Sequence, residues 1–227
     1  MGGLQPFTTI DYPGALAAVV FVQGCPWRCL YCHNPHLQGR DTVPAGPSWA
    51  TLRRWLVRRQ GRLDALVFSG GEPTLDPALP AAMREVRALG FRVGLHTAGL
   101  SPRRLRAVLP LADWVGLDVK APLADAALHD RITGVRGAAP AVRTSLEALL
   151  DSGVAYECRT TVHTSLLEAD ALSRLVDELA SAGARHVVLQ PCRPLAAGSG
   201  MTPTQPDPRQ FADLQVRFPP LAMRTAA

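Results

Sequence analysis

Three cysteines fall within one short stretch, Gly24-Cys25-Pro26-Trp27-Arg28-Cys29-Leu30-Tyr31-Cys32-His33-Asn34. The spacing is Cys-x3-Cys-x2-Cys. Thiolates suit zinc and iron–sulfur clusters alike. A structural zinc site closes with four ligands, often as two Cys-x2-Cys knuckles. Here the fourth would have to be His33 or His36, both squeezed against the loop, or a distant cysteine. A 4Fe–4S cluster normally takes four cysteines, so three on one loop leave one iron open to a ligand from outside the protein. The spacing favours that open cluster over structural zinc, and both over three unrelated buried thiols. Cys158 and Cys192 stand far from the loop and read as small buried hydrophobes.

Other residue types that carry chemistry cluster where apolar runs end. Ser69-Gly70-Gly71-Glu72-Pro73 pairs two glycines, which let a backbone approach a ligand, with a proline that stiffens the exit. Alone it reads equally well as a tight turn. His96-Thr97-Ala98-Gly99 offers Thr97 or backbone for a contact, while His96 reads slightly better as a satisfied histidine. Asp118 and Lys120 are two apart and project to one side of an extended chain. A carboxylate there suits ribose hydroxyls and an ammonium suits a carboxylate; the plainer alternative is a surface ion pair. Lys120 is also the only lysine in a chain otherwise committed to arginine, which hints at a need for a slim ammonium. Glu157, Arg159 and Thr161 share one side of another run. Inward charge must be paired or meet a ligand, so Arg159 is a candidate for a ligand carboxylate and His163 a weaker one. Gln190 ends the last of these runs, where a side-chain amide can meet a ligand hydroxyl.

These residues need a frame to bring them together. Six short apolar runs read as buried strands: Leu16–Val22, Ala65–Ser69, Arg92–Thr97, Trp114–Val119, Tyr156–Val162 and His186–Gln190. Between them lie amphipathic helices. Trp49, Leu52, Trp55 and Leu56 share a face of the first, and Leu79, Met83, Val86 and Leu89 a face of the second, which Gly90 should end. Ser101-Pro102 should open a third, with two more over 141–152 and 168–182 ending at Gly153 and Gly183. Residues 121–140 read as irregular, and a last helix as starting near Asp207. Alternation of strand and helix implies right-handed βαβ units and a parallel sheet. Six units form an incomplete (β/α)6 barrel or a flat doubly wound sheet. In either, ligands bind at the C-terminal ends of the strands, where the residues above sit.

At 227 residues, 47% hydrophobic and 19% charged, the chain reads as a single domain, with a core over about 14–195 and a tail over 196–227. The longest apolar run is strand-sized, no signal peptide or myristoylation motif opens the sequence, and the expected setting is the cytoplasm, with no membrane contact. The net charge of +5 comes from arginines spread over helix faces, which argues against nucleic acid.

The cysteine loop, directly after the first strand and with Tyr31 before its last cysteine, resembles that of the radical S-adenosylmethionine superfamily. The resemblance implies a 4Fe–4S cluster on Cys25, Cys29 and Cys32, with S-adenosylmethionine chelating the open iron. It implies that Tyr31 lies against the adenine, and that Gly70-Gly71-Glu72-Pro73 binds the methionine amino group, with Glu72 ordering the loop. His96-Thr97-Ala98-Gly99 is close to the Thr-Asn-Gly of relatives, and Ala98 departs from it. Relatives that activate glycyl-radical enzymes have the Asp118-x-Lys120 pattern near cofactor and substrate peptide. The segments Phe7 to Gly14, Ile132-Thr133-Gly134, Tyr31 to Asn34 and Tyr156 to Val162 are similar to those of anaerobic ribonucleoside-triphosphate reductase activating proteins, over about residues 5–195. That implies a glycyl-radical enzyme as partner, the large reductase subunit, and an electron donor of flavodoxin or ferredoxin type. Alternatives are activation of pyruvate formate-lyase, a small-molecule radical enzyme of the 7-deazaguanine type, and a zinc-binding interaction module.

Overall fold

A computed structural model describes residues 1–40, 46–193 and 204–224. Eight strands form one sheet in the order in which they occur along the chain. They are β1 (Gly3–Thr8), β2 (Ala17–Val22), β3 (Ala65–Gly70), β4 (Arg92–Thr97), β5 (Trp114–Asp118), β6 (Ala155–Val162), β7 (Val187–Pro191) and β8 (Leu221–Met223). β1 pairs antiparallel with β2, and every later pairing is parallel. The α-helices are α1 (Trp49–Val57), α2 (Leu79–Ala88), α3 (Pro102–Val108), α4 (Ala126–Thr133), α5 (Ala138–Asp151), α6 (Ala169–Ser181) and α7 (Pro208–Arg217).

The strand order never reverses. Right-handed crossovers then lie on one side of the sheet, so the helices cover one face and the sheet must curl to bury the other. That selects the incomplete barrel over the doubly wound sheet. The six strands read from the sequence are β2 to β7, each within a residue or two of its expected bounds. On the helical side Leu66, Leu95, Val115 and Leu117 pack against Leu52, Leu56, Met83 and Leu105. On the other side Ala17, Val19, Ala65 and Val67 enclose Tyr12 and Trp114.

Three expectations change. β1 and β8 join the sheet as its edges, although Gly3 and Pro6 mask the first and the second is too short to show a period. Residues 121–140 are not irregular: α4 starts at the Asp125 cap, whose side chain accepts from Leu128 N–H, and stops at Gly134 with φ +69°. Ser101 stands at the N-cap of α3 but its side chain makes no capping bond. By contrast Gly90, Gly153 and Gly183 take positive φ just past α2, α5 and α6, and α7 follows the Asp207 cap. The boundary drawn at 195/196 lies outside the described residues. No helix among the described residues is long and apolar enough to cross a membrane.

Candidate active site

The cysteine loop leaves the C-terminal end of β2 and is tied down on three sides. Towards β3, Gly71 N–H donates to the Val22 carbonyl at 2.8 Å and Glu72 N–H to the Gly24 carbonyl at 2.9 Å. A Cβ on Gly70 would stand 2.4 Å from Val22 N, and one on Gly71 2.6 Å from Gly24 O. Both glycines are thus demanded by the close approach of this turn to β2 and to the loop itself. Towards its own exit, Gly24 and Cys25 N–H donate to the carbonyls of Leu37 and Gln38. Towards α4, Arg28 N–H donates to the Thr133 carbonyl at 2.8 Å and Leu30 N–H to Ile132 at 3.1 Å. The last carbonyls of a helix lack partners within it, and here the cysteine loop supplies them.

Cys25, Cys29 and Cys32 line one open cavity of about 170 Å³ together with Tyr31, Gly70, Gly71, Thr97, Asp118, Lys120 and Arg159. Burial pushes the Cys25 thiol up to about 11 and raises Cys29 as well. An iron–sulfur cluster gives each cysteine its own iron. The donor set, three thiols facing one cavity with no fourth, fits the cluster.

The far wall is charged. Asp118 and Arg159 are register partners on β5 and β6, and Arg159 Nε and Nη2 both reach Asp118 Oδ1 at 2.9 Å. Gly116 makes the room: a Cβ there would lie 2.8 Å from the guanidinium carbon. Lys120 Nζ is 3.4 Å from Asp118 Oδ2 and 5.6 Å from the centre of the Tyr31 ring. Burial would raise the Asp118 pKa, but Arg159 and Lys120 outweigh it and hold the carboxyl down at about 2. Burial would lower Lys120, yet Asp118 and then Tyr31 keep it above the ordinary lysine range. Both groups are charged throughout the working pH range. Tyr31 is 4% exposed, and its buried hydroxyl has no hydrogen-bond partner among the described residues.

Other expected residues stand behind or beside the cavity. Glu72 is buried and does not line it. Its carboxylate accepts from Thr74 N–H and hydroxyl, the Thr97 hydroxyl and Ala98 N–H, at 2.6 to 3.1 Å. Burial pushes its pKa up and those four donors pull it back. Glu72 therefore joins the turn after β3 to the end of β4. Gln190 and His163 do not line the cavity; His163 Nδ1 is 2.9 Å from the Ser165 hydroxyl. Glu157 faces Arg224, with two contacts of 2.7 and 2.8 Å. Sequence reasoning passed over Trp27, which lines the cavity and meets the buried His129 of α4 edge-on. An isolated tryptophan in a loop carries no periodic signal.

The model of the radical SAM superfamily matches residues 19–170, well over half of the chain. The chain belongs to the radical SAM superfamily. Radical SAM enzymes use a 4Fe–4S cluster and S-adenosylmethionine, and those are its cofactors. Among relatives, a chain of Methanocaldococcus jannaschii assigned as a glycyl-radical enzyme activating enzyme is 28% identical over 182 residues, 75% of this chain and 71% of the relative. The pyruvate formate-lyase-activating enzyme of Clostridium pasteurianum is 33% identical over 121 residues, 52% of this chain and 50% of the relative. The fold is similar to that of Streptococcus suis SuiB bound to S-adenosylmethionine, at TM-score 0.68 and 15% identity over 92% of this chain and 50% of SuiB. The chain thus spans about half the length of the second relative and of SuiB.

Proposed function

We propose that this radical SAM enzyme activates a glycyl-radical enzyme, with the large subunit of an anaerobic ribonucleoside-triphosphate reductase as the partner. The observation that carries the reading is the grip of α4 on the cysteine loop. The segment Ile132-Thr133-Gly134, one of those that single out the reductase activating proteins, supplies the carbonyls that hold Arg28 and Leu30. The similarity to the M. jannaschii chain over most of both lengths supports the activating-enzyme group. A 4Fe–4S cluster held by Cys25, Cys29 and Cys32 would supply the electron for reductive cleavage of S-adenosylmethionine, and with it the radical chemistry needed to take a hydrogen atom from a glycine of the partner.

The chain's own residues bind, orient and exclude water. Cys25, Cys29 and Cys32 would each hold one iron of the cluster. Lys120 and Arg159 place two fixed positive charges opposite them, suited to a ligand carboxylate. Asp118 Oδ2 keeps capacity to accept from ribose hydroxyls. Tyr31, flat beneath Lys120, offers a face to the adenine, and the backbone at Gly70, Gly71 and Thr97 lines the remaining side. Electrons would come from a flavodoxin or ferredoxin-type donor, in the cytoplasm.

A second reading, activation of pyruvate formate-lyase, is favoured by the Clostridium relative. One experiment separates the two. Reconstituted protein, S-adenosylmethionine and reductant are mixed with each candidate partner, and glycyl radical is read by electron paramagnetic resonance. The radical is expected on the reductase. A signal on the lyase alone would move the assignment, and none on either would overturn the activating role.

A further inference from the structure

The loop between β1 and β2 does not stay outside the sheet. Tyr12 turns into the inner face, where it is 6% exposed and packs on Trp114 with ring centres 5.4 Å apart. Trp114 in turn meets the edge of His96 at 5.6 Å. Gly94 gives Tyr12 its space, since a Cβ there would lie 3.0 Å from the tyrosine ring. The main chain beside Tyr12 then comes close enough for the Asp11 carbonyl to sit 2.8 Å from His96 Nε2. The stack fills the inner face below the cavity and ends on a residue that lines the cavity itself.

That contact decides the state of the imidazole. A carbonyl oxygen only accepts, so Nε2 carries the proton. Burial and the positive charge of Arg159 push the His96 pKa down to about 3, so the ring is neutral at working pH. A neutral ring protonated on Nε2 keeps a bare Nδ1, which only accepts. On the charged wall Lys120 and Arg159 have no acceptor atom, and the Thr97 hydroxyl is already given to Glu72. A ligand that brings hydroxyls or an ammonium to that wall needs acceptors, and the Asp118 carboxylate there is shared with Arg159 and Lys120.

We propose that His96 is a ligand-binding residue of this site, anchored through Nε2–H on the Asp11 carbonyl and offering Nδ1 to an O–H or N–H donor of the bound molecule. The donor belongs either to S-adenosylmethionine or to the backbone of the substrate polypeptide. The inference rests on the cavity being the radical SAM site and deepens that assignment.

Two substitutions divide the two ends of the ring. His96→Gln keeps a donor near the ε position and removes the δ acceptor. His96→Asn keeps an acceptor near the δ position and loses the anchor. Each is reconstituted and measured for iron content, thermal midpoint, equilibrium binding of S-adenosylmethionine and KM for the partner polypeptide. His96→Gln is expected to retain iron and the wild-type midpoint and to bind one of the two ligands roughly three- to tenfold more weakly, the loss of one hydrogen bond. Weakened S-adenosylmethionine binding assigns the donor to the cosubstrate, and a raised KM alone assigns it to the polypeptide. His96→Asn is expected to melt earlier and to bind within about twofold of wild type, since its δ acceptor remains. Unchanged binding and KM for His96→Gln would overturn the proposal and leave His96 a packing residue. Failure of the wild-type protein to bind S-adenosylmethionine would instead overturn the site assignment on which the inference stands.

Discussion

Asp118 is the residue on which the charged wall turns, because it holds both Arg159 and Lys120. Lys120→Ala is expected to leave iron content unchanged and to weaken S-adenosylmethionine or partner binding about tenfold, the scale of one charge-assisted hydrogen bond; unchanged kinetics would reduce Lys120 to a partner of Asp118. The buried histidines make a second claim at this scale. His96 is held down to about 3 by burial and Arg159, and His129 to about 4 by burial and Lys120. The unfolded chain binds those protons near pH 6.5, so it gains protons that the folded chain refuses. Stability is therefore expected to be full above about pH 6.5 and to fall as pH drops towards 4, at up to about 1.4 kcal/mol per pH unit for each histidine. Urea unfolding from pH 7.5 to 5 checks this, and a midpoint flat over that range would contradict it. Cysteine spacing alone pointed to the cluster loop, because ligand chemistry dictates residue type and separation. The anchor of His96 was not legible: a carbonyl 85 positions away in the chain leaves no trace in local pattern.

At the scale of elements, the helix that sequence reasoning left out carries the cysteine loop. The α4 segment spans only Ala126–Thr133, about two turns, too short for its apolar period to stand out beside the runs that mark α2 or α6. Its signals were its punctuation, Asp125 before and Gly134 after. Gly134 has φ +69°, and a Cβ there would sit 3.0 Å from Arg28 Cβ and 3.1 Å from Arg28 O. Gly134→Ala is thus expected to cost about 1–2 kcal/mol through the left-handed backbone, and also to loosen the loop. The check is a lowered thermal midpoint together with less iron held per chain after reconstitution. A lowered midpoint with full iron would mean that α4 supports the fold but not the loop. The strands β2 to β5 and β7, by contrast, are readable almost to the residue, because buried parallel strands are continuous apolar runs.

Over the whole molecule, the sheet's inner face holds more charge than its own strands can pair. Glu157 is 5% exposed on β6, and its partner Arg224 arrives from just beyond β8, at the far end of the sequence. Inward charge on β6 was legible as a need; the residue that meets it was not, since β8 has three residues and no period. Arg224→Ala leaves a buried carboxylate unpaired and is expected to destabilise the fold by about 3 kcal/mol, while a double change with Glu157→Gln should recover part of it. Chemical denaturation of the three variants reads this directly; a loss below about 1 kcal/mol would place the pair among surface bridges.

The proposed role of Cys25, Cys29 and Cys32 is to hold an open cluster that serves S-adenosylmethionine. It is tested most directly on protein reconstituted without oxygen, reduced and given S-adenosylmethionine, with iron, sulfide and 5′-deoxyadenosine measured for wild type and Cys29→Ala. About four irons per wild-type chain with 5′-deoxyadenosine formed are expected, and no cleavage by the variant. Bound zinc without cleavage in the wild type, or retained cleavage in Cys29→Ala, would contradict that role.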